Sequence, residues 1–198
     1  LDVRGNGGGS DGSYRSLAPY LYTGPVEVVG LQLLSTAENN RKYSGELYPH
    51  MSAHEKRYYA RLRRRLDARL GQFVNQAGRR PSRFFRVKRG QQHPEVTRVA
   101  ILQNKGCGST TEQFLLLARQ SRKTTSFGTN SYGALDYANM QFAPLPCYSL
   151  RLGWATSRSF RLQRGEGIDN VGIAPTVRLD PAAPDMVERV RAYYRARK

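Results

Sequence analysis

The chain is short of sulfur, of histidine and of negative charge. Two cysteines in 198 residues, Cys107 and Cys147, are too few for a disulfide scaffold or a zinc cluster. They leave two options, one bridge in an exporting compartment or two small buried residues. The three histidines, His50, His54 and His93, fall in or beside a helical segment, where a histidine is ordinarily an exposed surface residue. No apolar run approaches the ~20 residues that a membrane-spanning helix needs. The 39% hydrophobic content is nonetheless enough for one compact core. There is no initiator Met and no signal-peptide pattern, and Leu1 reads as the middle of a strand. The expectation is a single domain, residues 1–198, truncated on its N-terminal side.

Acidic residues number 15 against 32 basic ones, for a net charge of +17, and arginine outnumbers lysine 26 to 6. Such a balance raises a nucleic-acid or acidic-surface partner, or else a solvated basic surface set by composition bias. The densest stretch is Arg57, Arg61, Arg64 and Arg65, followed by Arg79, Arg80, Arg83, Arg86, Lys88 and Arg89, with Phe84 and Phe85 interleaved as stacking groups. A normal apolar stripe on the helix carrying it, and no recognisable reader motif, argue against nucleic acid and for a solvated face.

Phosphate-binding motifs are missing too. Gly5 to Gly9 form a glycine-rich loop after the first strand, where backbone N–H groups can approach an anion closely. No G-x-x-x-x-G-K-[ST] is present, and no G-x-G-x-x-G opens a helix, so a plain turn is the alternative.

Periodicity gives a coarse map. A short helix is expected over Ser16 to Tyr22, and V-E-V-V-G-L-Q-L-L after Pro25 reads as a buried strand. Thr36 to Pro49 reads as surface loop. Ser52 and Glu55 form an S-x-x-E capping box opening a helix whose apolar positions run from Tyr58 through Leu62, Leu66, Leu70 and Phe73 to Ala77, closed by Gly78. A strand T-T-S-F leads into G-T-N-S-Y-G-A (Gly128 to Ala134). Tyr148 to Ala155 reads as a strand with Leu150, Leu152 and Trp154 on one face, and Asp185 to Arg197 as a basic amphipathic helix. The alternation predicts an α/β fold without internal repeats. The expected segments are 1–34 with the glycine loop, a helical insertion over 35–95, a core over 96–180, and a C-terminal helix over 181–198.

At the centre of this map lies Leu102 to Glu112, L-Q-N-K-G-C-G-S-T-T-E. A β-branched run enters it and an amphipathic helix leaves it, with Ser109 at the boundary. Ser109 and Glu112 satisfy S-x-x-E, so Ser109 serves as a helix cap, as a nucleophile whose oxyanion faces free N–H groups, or as both.

Four motifs in order, D-V-R-G-N-G-G-G, K-G-C-G-S-T-T-E, G-T-N-S-Y-G and I-D-N-V-G-I-A-P, resemble the C-terminal half of the peptidase domain of the tail-specific, or C-terminal processing, serine peptidases. The resemblance covers Leu1 to Leu34 and Val96 to about Leu179. It implies a crotonase/ClpP-like β-β-α superhelical core, no metal or organic cofactor, and a serine endopeptidase of the periplasm or cell surface. The implied substrates are unfolded or C-terminal polypeptide segments. By position Ser109 matches the nucleophile, Thr110 with Gly7 and Gly8 the oxyanion-hole backbone, and Glu112 and Ser131 residues that shape the site. Ala134 departs from the pattern, because the bacterial branch places its lysine base there, and neither Lys105 nor Lys123 matches that position. A lysine-less branch similar to the tricorn core takes its base from an upstream histidine. There Asp169 fits the acidic residue that orients the base, and the histidine would precede Leu1. The missing lysine also fits a catalytically silent ligand- or peptide-binding relative, like the retinoid-binding proteins that share the domain.

Overall fold

The computed structural model describes residues 1–43 and 51–197. In chain order its elements are α1 (Ala18–Leu21), β1 (Val26–Val29), β2 (Leu31–Leu34), α2 (Ala37–Arg41), α3 (Ala53–Asp67), β3 (Phe73–Asn75), β4 (Ser82–Phe85) and β5 (Val99–Gln103). There follow α4 (Thr110–Ala118), β6 (Thr124–Gly128), β7 (Tyr137–Ala138), β8 (Gln141–Pro144), β9 (Arg151–Trp154), β10 (Ser157–Ser159), β11 (Val177–Arg178) and α5 (Met186–Arg195). Helix and sheet are mixed, as the alternation predicts.

Two compact units emerge, one of Leu1–Val28, Phe84–Leu135 and Ile168–Lys198, the other of Val29–Arg83 and Asp136–Gly167. Residues 136–167, which the sequence reading assigns to the core, thus cluster with 29–83. That pairing depends on strand contacts between segments more than 120 residues apart, and no local pattern carries it.

The first unit is built on a parallel sheet in the order β11-β6-β5. Asp2 adds a parallel bridge to Leu102, with Val3 N–H donating to the Leu102 carbonyl at 3.0 Å. Neighbouring strands therefore follow chain order. Period-2 alternation decides what each face meets. Ile101 points into a cluster with Phe114, Leu115, Leu117 and Ala118 of α4 and with Leu21 of α1. Its neighbour Leu102 points the other way, with Phe127, onto Met186 and Val190 of α5. The sheet is thereby covered on both faces, which is why β5 reads as a nearly continuous apolar run. Each fully buried side chain of this kind contributes about 1.5–3 kcal/mol, and Phe127, wholly buried, also meets the Tyr193 ring edge-on.

The second unit holds a sheet ordered β3-β2-β10-β7 with antiparallel neighbours. Leu62 and Leu66 of α3 pack with Leu33, Val74 and Tyr43. The Ser52–Glu55 capping box forms as expected, each residue's backbone N–H bonded to the other's side chain.

Three local expectations change. Thr36 caps a helix where loop was expected: its hydroxyl accepts from Asn39 N–H at 3.0 Å and α2 follows. The rest of that loop, 44–49, and His50 lie outside the described residues. Helix α3 stops at Asp67 instead of Ala77, because Gly71 turns the chain at φ +78° and Phe73 enters β3. V-E-V-V-G-L-Q-L-L is two strands, broken where Gly30 N–H donates to the Pro81 carbonyl at 2.7 Å.

Candidate active site

Strand β5 delivers the chain to Asn104, whose side-chain oxygen accepts from the N–H groups of Gly5 and Gly106, each at 2.9 Å. One short polar side chain thus staples the first loop to the loop before Ser109. The two backbones touch closely enough that a Cβ on Gly106 would stand 2.6 Å from Gly5 Cα, so glycine is required there. Next along, Gly108 N–H donates to the Asn6 carbonyl at 3.1 Å. At Gly8 (φ +114°) a Cβ would stand 2.9 Å from both the Gly108 oxygen and Ser109 Cβ, and 3.0 Å from Thr110 N. The glycine loop lies directly against Ser109, and its glycines make that approach sterically feasible.

Ser109 is half-buried and sits at φ 53°, ψ −120°, a conformation that L residues avoid. Holding a non-glycine residue there costs about 1–3 kcal/mol and persists only where the surroundings enforce it. A sharp strand-to-helix turn of this kind projects a serine hydroxyl outward in nucleophile elbows. Ser109 and Glu112 form a capping box. Glu112 N–H donates to the Ser109 carbonyl at 2.9 Å and Ser109 N–H donates to Glu112 Oε2 at 3.1 Å. Ser109 is the N-cap residue of this helix. It stands at the N-terminal, partially positive end of the nine-residue α4. Thr111, Glu112 and Gln113 direct their N–H groups to the carbonyls of Gly108 and Ser109, and Thr110 N–H comes first in the helix, facing Gly8. The Gly8 N–H is bonded to Asn6 Oδ1 at 3.0 Å, and Gly7 is exposed.

Glu112 is the hub of the site. Fully buried, its carboxylate accepts four hydrogen bonds: Ser131 hydroxyl at 2.6 Å and Gly133 N–H at 2.7 Å on Oε1, Ala134 N–H at 2.9 Å and Ser109 N–H on Oε2. Ser131, itself buried, accepts from Ile173 N–H at 2.7 Å. A carboxylate on the nucleophile's helix therefore clamps the G-T-N-S-Y-G-A loop, and through Ser131 the late I-A-P segment. Gln103 adds a second clamp, its amide donating to the Thr129 and Ile173 carbonyls at 3.0 and 2.7 Å. Asn104 and Gln103 were not foreseen from sequence. The N-x-G spacing of Asn104 and Gly106, a turn in which asparagine bonds its own backbone two residues on, is a usable signal for the first. Gln103 carries none.

Asp169 accepts from Leu135 N–H at 2.7 Å, one residue beyond Ala134, while Asn170 N–H donates to the Gly133 carbonyl at 2.9 Å. Ser109, Glu112, Ser131 and the Asp169 loop are thus linked through one hydrogen-bonded shell. No described histidine or lysine is bonded into it. His93 Nδ1 pairs with Glu95 at 2.8 Å and its ring stacks on Tyr20, Lys123 donates to the carbonyls of Tyr20 and His93, and His54 is exposed. Cys107 is buried beside the site, its thiol donating to the Val3 carbonyl at 3.0 Å and pushed up in pKa by burial. Cys147 is exposed, and the two are unpaired. No group of three or more His, Cys, Asp or Glu suited to a metal occurs among the described residues.

The model of peptidase family S41 matches residues 1–179. The chain belongs to peptidase family S41. No curated protein matches it. Solved structures similar to this S41 chain include mature CPAF complexed with lactacystin, at 17% identity and TM-score 0.59, covering 98% of this chain and 41% of that one. A photosystem II D1 C-terminal processing protease is similar at 17% identity and TM-score 0.50, over 92% and 34%. A lipoprotein from Streptococcus agalactiae is similar at 14% identity and TM-score 0.51, over 100% and 54%. The chain spans about a third to a half of the length of these relatives. Likeness at such identities speaks to the fold.

The basic stretch resolves into separate uses. Arg57, Arg61 and Arg64 are exposed along α3, whereas Arg65 donates to the carbonyls of Asn75 and Gln76. Phe84 and Phe85 lie exposed in β4. No described helix is long and apolar enough to cross a membrane.

Proposed function

We propose that this chain is the nucleophile-bearing part of a serine endopeptidase that cuts unfolded or C-terminal segments of polypeptides through an acyl-enzyme on Ser109. The observation that carries the reading is the strained backbone of Ser109 at the α4 N-terminus, with the glycine loop against it. Family membership over 1–179 supports the same chemistry.

In this reading Ser109 Oγ attacks the scissile carbonyl while a base takes its proton, and the developing oxyanion meets Thr110 N–H and the Gly7 backbone. Each such donor contributes about 2.7–4 kcal/mol to barrier lowering. Gly8 contributes space: its missing Cβ lets the loop reach Thr110. Glu112 and Ser131 hold the nucleophile helix to the loop carrying Ala134 and do not react. An alanine accepts no proton, so the dyad branch's lysine chemistry does not operate at position 134. The base is a histidine contributed by residues other than these 198, with Asp169, already fixed by Leu135 N–H, orienting it. The strands of the first unit lie in chain order and α4 joins β5 to β6, which supports the crotonase/ClpP-like superhelical core. Tail-specific cleavage in the periplasm or outside the cell follows from the resemblance to processing peptidases.

The test is cleavage of an unstructured peptide by the protein as its host makes it, wild type against Ser109→Ala. A loss of at least about 10³-fold is expected, and an unchanged rate would end the assignment.

A further inference from the structure

The parallel pairing that opens the chain ends at Val3, whose N–H reaches the Leu102 carbonyl. Beyond that point no strand ladder holds the glycine loop against Ser109. Two hydrogen bonds cross between residues 5–8 and residues 104–108. One is backbone to backbone, from Gly108 N–H to the Asn6 carbonyl at 3.1 Å. The other is made by a side chain, with Asn104 Oδ1 accepting from Gly5 N–H at 2.9 Å. Further on, the Thr110 hydroxyl donates to the Gly9 carbonyl at 2.9 Å and pins the far end of the loop. The near end depends on Asn104.

Asn104 Oδ1 also accepts from Gly106 N–H, two residues on, the local turn that asparagine makes in many loops. That turn by itself needs no contact with Gly5, which is 99 positions away in sequence. The amide nitrogen of Asn104 makes no hydrogen bond among the described residues, so every hydrogen bond of this side chain falls on its oxygen.

The register fixed in this way decides which amides stay open. Gly5 N–H goes to Asn104, Asn6 N–H to the Val3 carbonyl and Gly8 N–H to Asn6 Oδ1. From Gly5 to Gly8, Gly7 N–H alone has no partner among the described residues. Across from it, Ser109 N–H goes to Glu112 and Thr111 N–H to the Gly108 carbonyl, which leaves Thr110 N–H over. Backbone donors are strong, obligatory hydrogen-bonding groups, so two left open beside one serine call for an acceptor.

We propose that Asn104 is a positioning residue for acyl transfer at Ser109: its oxygen holds the glycine loop in the register that keeps Gly7 and Thr110 N–H open to the oxyanion. The proposal rests on the serine-peptidase reading above. Asn104 touches no reacting atom and acts through the loop. Loss of one preorganised donor lowers kcat about 10²–10³-fold, and a misplacement of about 1 Å costs about 10²-fold.

The test is steady-state cleavage of an unstructured peptide by the protein as its host makes it, with rates referred to the folded fraction read by circular dichroism. Asn104→Ala removes the oxygen and should lower kcat about 10²-fold with KM within about threefold of wild type, the split expected when an interaction acts in the transition state. Asn104→Asp keeps an acceptor in the same place and loses only the amide nitrogen, so its kcat should stay within about tenfold of wild type. Hydrogen exchange should find the Gly5 amide as protected in Asn104→Asp as in wild type. An Asn104→Ala variant that loses less than about tenfold in kcat, or that only raises KM, overturns the proposal. So does an Asn104→Asp variant that loses more than about tenfold, because the amide nitrogen would then be the working group. If Asn104→Ala does not fold, Asn104→Asp decides alone by the same limit. Ser109→Ala keeps the two readings apart. Cleavage that survives in it overturns the peptidase assignment and the positioning role together, whereas cleavage that needs Ser109 and ignores Asn104 overturns the positioning role alone.

Discussion

Replacing Glu112 with glutamine keeps the side chain's shape and removes half of its acceptors. Whichever oxygen becomes the amide, two donors lose their partner. At Oε1 they are the Ser131 hydroxyl and Gly133 N–H, and at Oε2 they are Ala134 and Ser109 N–H. Rotation of Ser131 rescues the first case only in part: its second lone pair can accept from the amide, but its proton then loses Oε1, and Gly133 N–H still faces a donor. A buried donor left unsatisfied costs about 1–3 kcal/mol, so Glu112→Gln should cost about 2–6 kcal/mol. Against a domain stability of about 5–15 kcal/mol that is large. Urea unfolding of the chain, followed by far-ultraviolet circular dichroism, reads the loss. Hydrogen exchange in 128–135 shows whether the clamped loop opens first. A Glu112→Gln variant within about 0.5 kcal/mol of wild type, with unchanged exchange there, would refute the hub.

Ser131→Ala should cost about 1–3 kcal/mol by stranding Ile173 N–H, whereas Ser131→Thr, which keeps the hydroxyl, should cost less; the same unfolding curves rank them. Gly8→Ala should abolish labelling of Ser109 by a serine-directed fluorophosphonate while leaving the second unit's exchange pattern intact, since its Cβ would occupy the space at Ser109 and Thr110. Asn40 first, and then Arg63, hold the Asp67 carboxyl below its ordinary pKa. A depressed folded value stabilises above the unfolded pKa of about 3.9 and is lost as pH falls through the folded one. Unfolding curves of wild type and Asp67→Asn should therefore converge as pH drops below about 4, and a pH-independent gap would contradict this. Native alkylation should consume one thiol, Cys147, and denatured protein two, because burial suppresses the Cys107 thiolate.

Signals confined to one stretch of chain were legible in sequence. The capping box at Ser52, the strand-turn-helix passage around Ser109 and the amphipathic α5 each follow from spacing within a dozen residues. The helical spacing runs past the end of α3 because Leu70 and Phe73 continue it, although Gly71 turns the chain between them. Leu150 and Leu152 alternate as a buried strand would, yet alternation records only that they share a face. Nor does any local pattern tie Glu112 to Ser131 and Ala134, or β2 to β10, since these bonds are made by the topology. The glycines are intermediate: their number at Gly5 to Gly9 was visible, but the need for a bare Cα at Gly8 and Gly106 appears only when two loops are laid together.

The most direct test of the central claim is the mass of the protein, as its host makes it, after reaction with a serine-directed fluorophosphonate, followed by peptide mapping. The prediction is one adduct on the tryptic peptide containing Ser109, absent after denaturation before labelling and absent in Ser109→Ala. An adduct on any other serine, or active protein with no modification at Ser109, would contradict it.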